Sequence, residues 1–167
     1  MPKRARVHRR PRPRRRATGG LTCAAMGSYR FVEDVTVADV AFEARGVSLG
    51  DLFAACGRAT FDVMVDLDHV RPVETVHVVL RHETLDGLLF DWLDELIGRK
   101  DTDALVFSEF DVTVDRIDAG FALRATARGE PIRAELPMRL DVKAPTAHGL
   151  EVTRVDGEWM ARVVLDV

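Results

Sequence analysis

Several residue types and motifs are rare or missing in this sequence of 167 residues, and each absence excludes a class of protein. The only cysteines are Cys23 and Cys56, which make no disulfide framework and favour a reduced, cytoplasmic setting. No apolar run approaches the length that spans a bilayer, so no membrane partner is expected. The sequence has no Gly-rich phosphate loop, no HExxH and no Cys-x-x-Cys, and its five histidines are scattered. A nucleophilic enzyme therefore has little support.

Basic residues are concentrated in the first part of the sequence, although the net charge is only −3. Residues 1–16 contain nine of the 24 lysines and arginines, which leaves 15 basic against 27 acidic residues in the remainder. Three interpretations of this Arg-rich head stay open: an arm that binds nucleic acid, an organellar transit peptide, or an upstream extension before a natural start at Met26. We expect residues 1–27 to be a disordered extension and residues 28–167 to form one domain.

Hydrophobic periodicity predicts two helices among many strands. The predicted helices run from Leu49 to about Asp66 and from Leu85 to about Ile97, with Ser48 and Thr84 as N-caps and Gly98 closing the second. The predicted strands cover residues 29–32, 37–44, 73–81, 104–117, 121–128, 138–142, 150–155 and 158–166, with an interruption at 129–131. This pattern favours an α+β fold with two long helices packed on a mixed or antiparallel sheet.

Two aspartates lie at the ends of predicted strands. Asp39 stands in an otherwise apolar strand pattern, and Asp166 follows the alternating run from Trp159 to Leu165. Each is either an exposed residue on a solvent face or a metal ligand, because a carboxylate between apolar neighbours is costly unless it is paired or bound. A docked last strand would fix Asp166 and the terminal carboxylate of Val167. Such hard oxygen ligands suit Ca²⁺, Mg²⁺ or Mn²⁺.

A few other polar residues are candidates for function. Lys143 is one of only three lysines and precedes a Pro-Gly loop. Either the function needs the compact ammonium group of a lysine at this position, or Lys143 is an ordinary solvated loop lysine. His148, in the same loop, is either a donor to a nearby carboxylate or nucleotide, or an ordinary loop histidine. The acidic cluster Asp62, Asp66 and Asp68 is either a cation site or, more simply, a solvated helix end.

Motifs spread from Tyr29 to Val167 resemble those of the archease family. In chain order the matching stretches are TVADV at 36–40, SLGDLFA at 48–54, FDVM at 61–64, LLFDWLDEL at 88–96, LVFSEF at 105–110, ARGE at 127–130, VKAPTAHGL at 142–150 and the final DV. Each stretch is modest alone, and the match depends on their order, spacing and shared endpoint.

The resemblance implies a fold, a function and a set of site residues. The family is understood to bind a divalent cation through positions that match Asp39, Asp166 and Val167, and a lysine that matches Lys143 is important for activity. Archeases are protein cofactors, not enzymes: they promote guanylylation and repeated turnover of the GTP-dependent RNA ligase that joins tRNA halves. The implied partner is therefore that ligase, with tRNA halves reached only through it.

The sequence departs from the family pattern at two positions, and one alternative function stays open. The histidine that usually precedes Thr-Ala-Asp is absent, since residues 34–37 read DVTV, and the aromatic residue before His148 is replaced by Ala147. The alternative is a chaperone-like or RNA-binding module that acts through the Arg-rich head, since the acidic remainder would repel a phosphate backbone.

Overall fold

The computed structural model describes residues 26–32 and 38–167. In chain order the elements are β1 (Ser28–Val32), β2 (Asp39–Gly46), α1 (Leu49–Met64), a 3₁₀ helix (Leu67–His69), β3 (Glu74–His82), α2 (Leu85–Asp103), β4 (Leu105–Ile117), β5 (Gly120–Pro131), β6 (Ala144–Val155) and β7 (Glu158–Asp166). Within the described residues, two long helices accompany strands that all pair antiparallel, which confirms the predicted α+β class.

The described strands form two sheets, and every pairing is antiparallel. The first sheet has the order β1-β2-β7-β6, and the second has the order β3-β5-β4. Both helices contact both sheets: α1 packs against β2 and β4, and α2 packs against β6 and β3. The predicted single sheet is thus two antiparallel sheets, and the helices lie against both of them.

One hydrophobic core joins the two sheets and the helices. Its largest fully buried side chains are Trp92, Phe42, Phe53, Phe61 and Phe107. The Trp92 indole N–H donates to the Phe53 carbonyl at 3.0 Å, which satisfies a polar group that would otherwise be buried without a partner. Helix α1 is buried on almost every face, so its burial exceeds the single stripe that the sequence pattern predicts.

The start of each helix follows local sequence signals, and the end of α2 does not. Ser48 and Asp51 form a reciprocal capping box at α1, and the Thr84 hydroxyl accepts from the Gly87 N–H at α2. The prediction that α2 ends before Gly98 is wrong, because the helix continues to Asp103. The added turn carries Lys100, whose side chain is only 7% exposed and is bonded outside the helix.

Three predictions for the second half are also wrong, the first being the Pro-Gly loop after Lys143, because residues 144–149 lie within β6. Residues 138–142 form no strand; instead the N–H groups of Arg139 and Leu140 donate to the Met64 and Val63 carbonyls, at 2.7 and 3.2 Å. These bonds satisfy carbonyls that the last turn of α1 leaves without a helical partner. Residues 129–131 do not interrupt a strand but lie within β5.

Neither helix of the described chain is long and apolar enough to cross a membrane.

Of the first 27 residues the structure describes Met26 and Gly27, and the Gly27 carbonyl accepts a hydrogen bond from Arg58 at 2.7 Å. The expected disorder of residues 1–25 concerns residues outside the described range.

Candidate cation site at the end of β2 and β7

The two candidate aspartates lie directly opposite each other. Strand β2 pairs with β7 in a register that makes Asp39 the cross-strand partner of Asp166. In an antiparallel pair, the Cβ atoms of opposite residues lie about 5 Å apart. The fold therefore brings together two acids from near the two ends of the described domain.

Both aspartates face away from the helices. Phe42 and Ala44 of β2, and Val163 and Leu165 of β7, are fully buried toward the core. Side chains alternate between the faces of a strand, so Asp39 and Asp166 project from the outer face, where both are half-buried. The outer face lets these carboxylates reach a ligand from solvent without crossing the core.

Val167 extends this arrangement by one residue. Its N–H donates to the Ala38 carbonyl at 3.1 Å, which continues the β2–β7 pairing past Asp166. On the other side of β7, the Lys143 N–H donates to the Asp166 carbonyl at 2.9 Å. Backbone bonds from both neighbours thus hold Asp166 and Val167 in place.

The Lys143 ammonium reaches the same corner of the sheet. Its Nζ donates to the Val167 oxygen at 3.3 Å, although the side chain is exposed. The structure therefore brings together four of the five candidate residues: Asp39, Asp166, Val167 and Lys143.

His148 is the fifth candidate, and it lies farther along β6. The pairing of β6 with β7 is regular at Ala144, opposite Asp166, and shifts register between Thr146 and Glu151. His148 falls in this irregular stretch and is exposed, and its backbone carbonyl accepts from the Thr146 hydroxyl at 3.1 Å. The departure noted at residues 34–37 falls outside the described residues.

Lys100 fixes the chain just before Lys143, a role that the sequence pattern did not reveal. Its Nζ donates to Asp141 Oδ1 at 2.5 Å and to the Val142 carbonyl at 3.0 Å. Burial lowers the pKa of Lys100, but hydrogen bonds to Asp141 and Asp101 outweigh that effect and leave the pKa raised. The only sequence signal for this role of Lys100 was that lysine is rare in the chain, and that signal applies equally to Lys143.

The acidic cluster at the end of α1 is used for structure. Asp62 accepts from the Tyr29 hydroxyl at 3.2 Å and from Arg139 at 2.9 Å. Burial, and then the charge of Asp62, raises the pKa of Tyr29 to about 12. Asp66 accepts from the Asp68 N–H at 3.2 Å and caps the 3₁₀ helix. These contacts favour the simpler interpretation of a helix end.

The donor set at Asp39 and Asp166 suits a hard divalent cation. Like charges directly opposite on a sheet repel, by on the order of 1 kcal/mol for partly exposed groups, and a cation would relieve this repulsion. Among residues 26–32 and 38–167, no group of three His, Cys, Asp or Glu side chains is placed to hold a metal. A cation here would therefore rely on two carboxylates, the Val167 oxygen and water, which fits Ca²⁺, Mg²⁺ or Mn²⁺ and not Zn²⁺.

The sequence matches the model of the Archease protein family over residues 29–167. It is 42% identical to protein archease of Methanothermobacter thermautotrophicus over 142 residues, which cover 85% of this chain and 100% of that protein. It is 38% identical to protein archease of Methanopyrus kandleri over 131 residues, or 78% of this chain and 94% of that protein.

Two solved structures are also similar to the fold of this chain. The solution structure of Methanobacterium thermoautotrophicum protein 1598 superposes with a TM-score of 0.75 at 41% identity, covering 83% of this chain and 98% of that one. The crystal structure of a Thermotoga maritima protein described as "an archease, possible chaperone" has a TM-score of 0.54 at 16% identity, with the same coverage, and supports the fold alone.

Proposed function

The chain belongs to the archease family, and on that premise we propose that it activates the GTP-dependent tRNA-splicing RNA ligase as a cytoplasmic protein cofactor. The proposal is that it promotes guanylylation of the ligase and its repeated turnover, and acts on tRNA halves only through the ligase. The observation that carries the proposal is the cross-strand pairing of Asp39 with Asp166 beside Lys143.

Asp39, Asp166 and the oxygen of Val167 are the residues that would hold a divalent cation. Such an ion supplies charge neutralisation for phosphate oxygens during nucleotidyl transfer. The protein's own contribution is rigidity, since Ala38 and Lys143 hold the backbone of β7 on both sides. A preorganised site of this kind costs little reorganisation when it meets the ligase.

Lys143 would add one positive charge at the rim of the same site. Its side chain is exposed, so the ammonium can reach a phosphate group presented by the ligase. No side chain of the proposed site needs to act as a nucleophile or general base, so the proposed role is activation of another enzyme.

Single-turnover guanylylation of the ligase, with the wild-type protein or Asp39→Ala, tests the proposal. We expect Asp39→Ala to lose most of the stimulation, whereas Asp118→Ala, a change in the exposed β4–β5 turn, keeps it. Equal rates with Asp39→Ala and the wild type would remove the carboxylate pair from the mechanism.

A second candidate function rests on the nine basic residues of the Arg-rich head, which suit an RNA-binding or chaperone-like arm. Deletion of residues 1–25 separates the two candidates. Unchanged stimulation of the ligase favours the carboxylate site, and lost stimulation favours the arm.

A further inference from the structure

We infer that Lys143 and a divalent cation compete for the Val167 oxygen, so that cation binding releases the Lys143 ammonium toward the partner. This inference rests on the proposed function and adds a regulatory step to the same site. Without a cation the Lys143 ammonium stays on the Val167 oxygen, and cation binding makes the ammonium available to the partner.

The competition follows from one shared oxygen. Lys143 Nζ donates to the Val167 oxygen at 3.3 Å, and Val167 directly follows Asp166 and continues the strand pairing that places Asp166 opposite Asp39. An ammonium and a divalent ion that share an oxygen repel each other, although exposure to solvent weakens this repulsion. We therefore expect Lys143 to leave this oxygen when the oxygen joins the coordination of a cation.

The backbone around Lys143 lets the side chain move while the main chain stays in place. The Lys143 N–H is bonded to the Asp166 carbonyl, and the preceding Val142 carbonyl is bonded to the buried Lys100. The Lys143 side chain is itself exposed and has a long, flexible stem. The release is therefore a change of rotamer in the lysine and requires no rearrangement of β6.

Calorimetric titration of Ca²⁺ and of Mn²⁺ into the wild type, Lys143→Met and Lys143→Arg tests the competition. Removal of the competing charge should tighten cation binding by Lys143→Met about two- to fivefold, the range expected for an exposed ion pair. Lys143→Arg keeps the charge and should bind as the wild type does. Unchanged or weaker binding by Lys143→Met would overturn the inference while leaving the cation site of the proposed function intact.

Lysine labelling provides a readout that does not depend on the ligase. The sequence contains only Lys3, Lys100 and Lys143, so acetylation by an activated ester can be assigned to each by mass spectrometry. Saturating Ca²⁺ should speed the labelling of Lys143 relative to EDTA and leave the buried Lys100 unchanged. Equal labelling of Lys143 in the two conditions would overturn the release step. A wild-type protein that binds neither cation in the titration would instead overturn the cation site itself.

Discussion

Asp39 and Asp166 are direct cross-strand partners on the outer face of the four-stranded sheet. Two carboxylates in this relation repel each other, and antiparallel sheets usually avoid like charges at opposite positions. We expect this repulsion to lower stability when no cation is bound, and a cation held by both carboxylates to relieve it. Stability measurements can therefore test for the proposed site without the ligase.

The first prediction concerns Asp166→Asn. In EDTA this change should raise the free energy of unfolding by up to about 1 kcal/mol, because one of the two facing charges is removed. At a Ca²⁺ concentration about 100 times the dissociation constant, the wild type should gain about 2.7 kcal/mol and the variant far less. Urea unfolding measures both quantities. With Asp118→Asn as the control, a Ca²⁺ gain in Asp166→Asn equal to that of the wild type would contradict the prediction.

The helix starts could be predicted from sequence because their signals are local. Ser48 with Asp51, and Thr84, cap helices within one turn, and the structure places both caps as expected. The end of α2 depends instead on Lys100 meeting Asp141 and Val142, which are distant in sequence. The alternation in residues 138–142 was likewise misleading, because those residues cap the end of α1.

The residues of the candidate site could be proposed from the sequence, but their arrangement relative to one another could not. The resemblance to archeases indicated Asp39, Asp166 and Lys143, and β7 could be recognised from its alternation. The β2–β7 register is set by burial of Phe42 and Val163, which face each other in the core. A shift by two residues would keep the same faces buried but separate the acids, and no local sequence signal excludes it.

The second prediction compares two glycines. A Cβ at Gly98 would meet no atom within 4 Å, so Gly98→Ala in the interior of α2 should stabilise the protein by about 0.5–1 kcal/mol. A Cβ at Gly129 would lie 1.8 Å from the Val106 carbonyl oxygen, so Gly129→Ala should destabilise it by about 1–3 kcal/mol. Urea denaturation checks both values, and a stabilising Gly129→Ala would contradict the β4–β5 geometry.

The third prediction concerns pH. Hydrogen bonds from Arg71, and then from Arg133, lower the pKa of Glu130 from 4.5 to about 2. The Glu130 side chain is only 1% exposed and accepts two bonds from the Arg71 guanidinium at 2.9 and 2.7 Å. Because the folded-state pKa is lowered, this stabilisation is complete above pH 4.5 and is lost as the pH falls toward 2.

Glu130→Gln should therefore lower Tm at pH 7 and flatten the loss of Tm between pH 4.5 and 2, as followed by circular dichroism. Glu135→Gln is the matched control, since Glu135 also pairs with Arg133 but is 74% exposed. If Tm falls as steeply between pH 4.5 and 2 in Glu130→Gln as in the wild type, other carboxylates control the acid sensitivity of the protein.

The fourth prediction concerns the buried Lys100. Lys100→Met removes the bonds to Asp141 and to the Val142 carbonyl, and it should destabilise the protein by about 1–3 kcal/mol. The raised pKa of Lys100 means that its contribution is present at neutral pH and is lost as the pH rises past its ordinary value of 10.5. The stability difference between Lys100→Met and wild type should therefore shrink in strongly alkaline urea titrations. If the stability difference between Lys100→Met and the wild type does not change with pH, the charge of Lys100 does not contribute to this contact.

The most direct test of the central claim is calorimetric titration of Ca²⁺ and Mn²⁺ into the wild type, Asp39→Asn, Asp166→Asn and the double variant. If the two carboxylates hold one cation together, the wild type binds one equivalent, each single variant loses most of the affinity, and the double variant loses little more than either single variant. Single variants that bind as tightly as the wild type would contradict the claim that Asp39 and Asp166 share a cation.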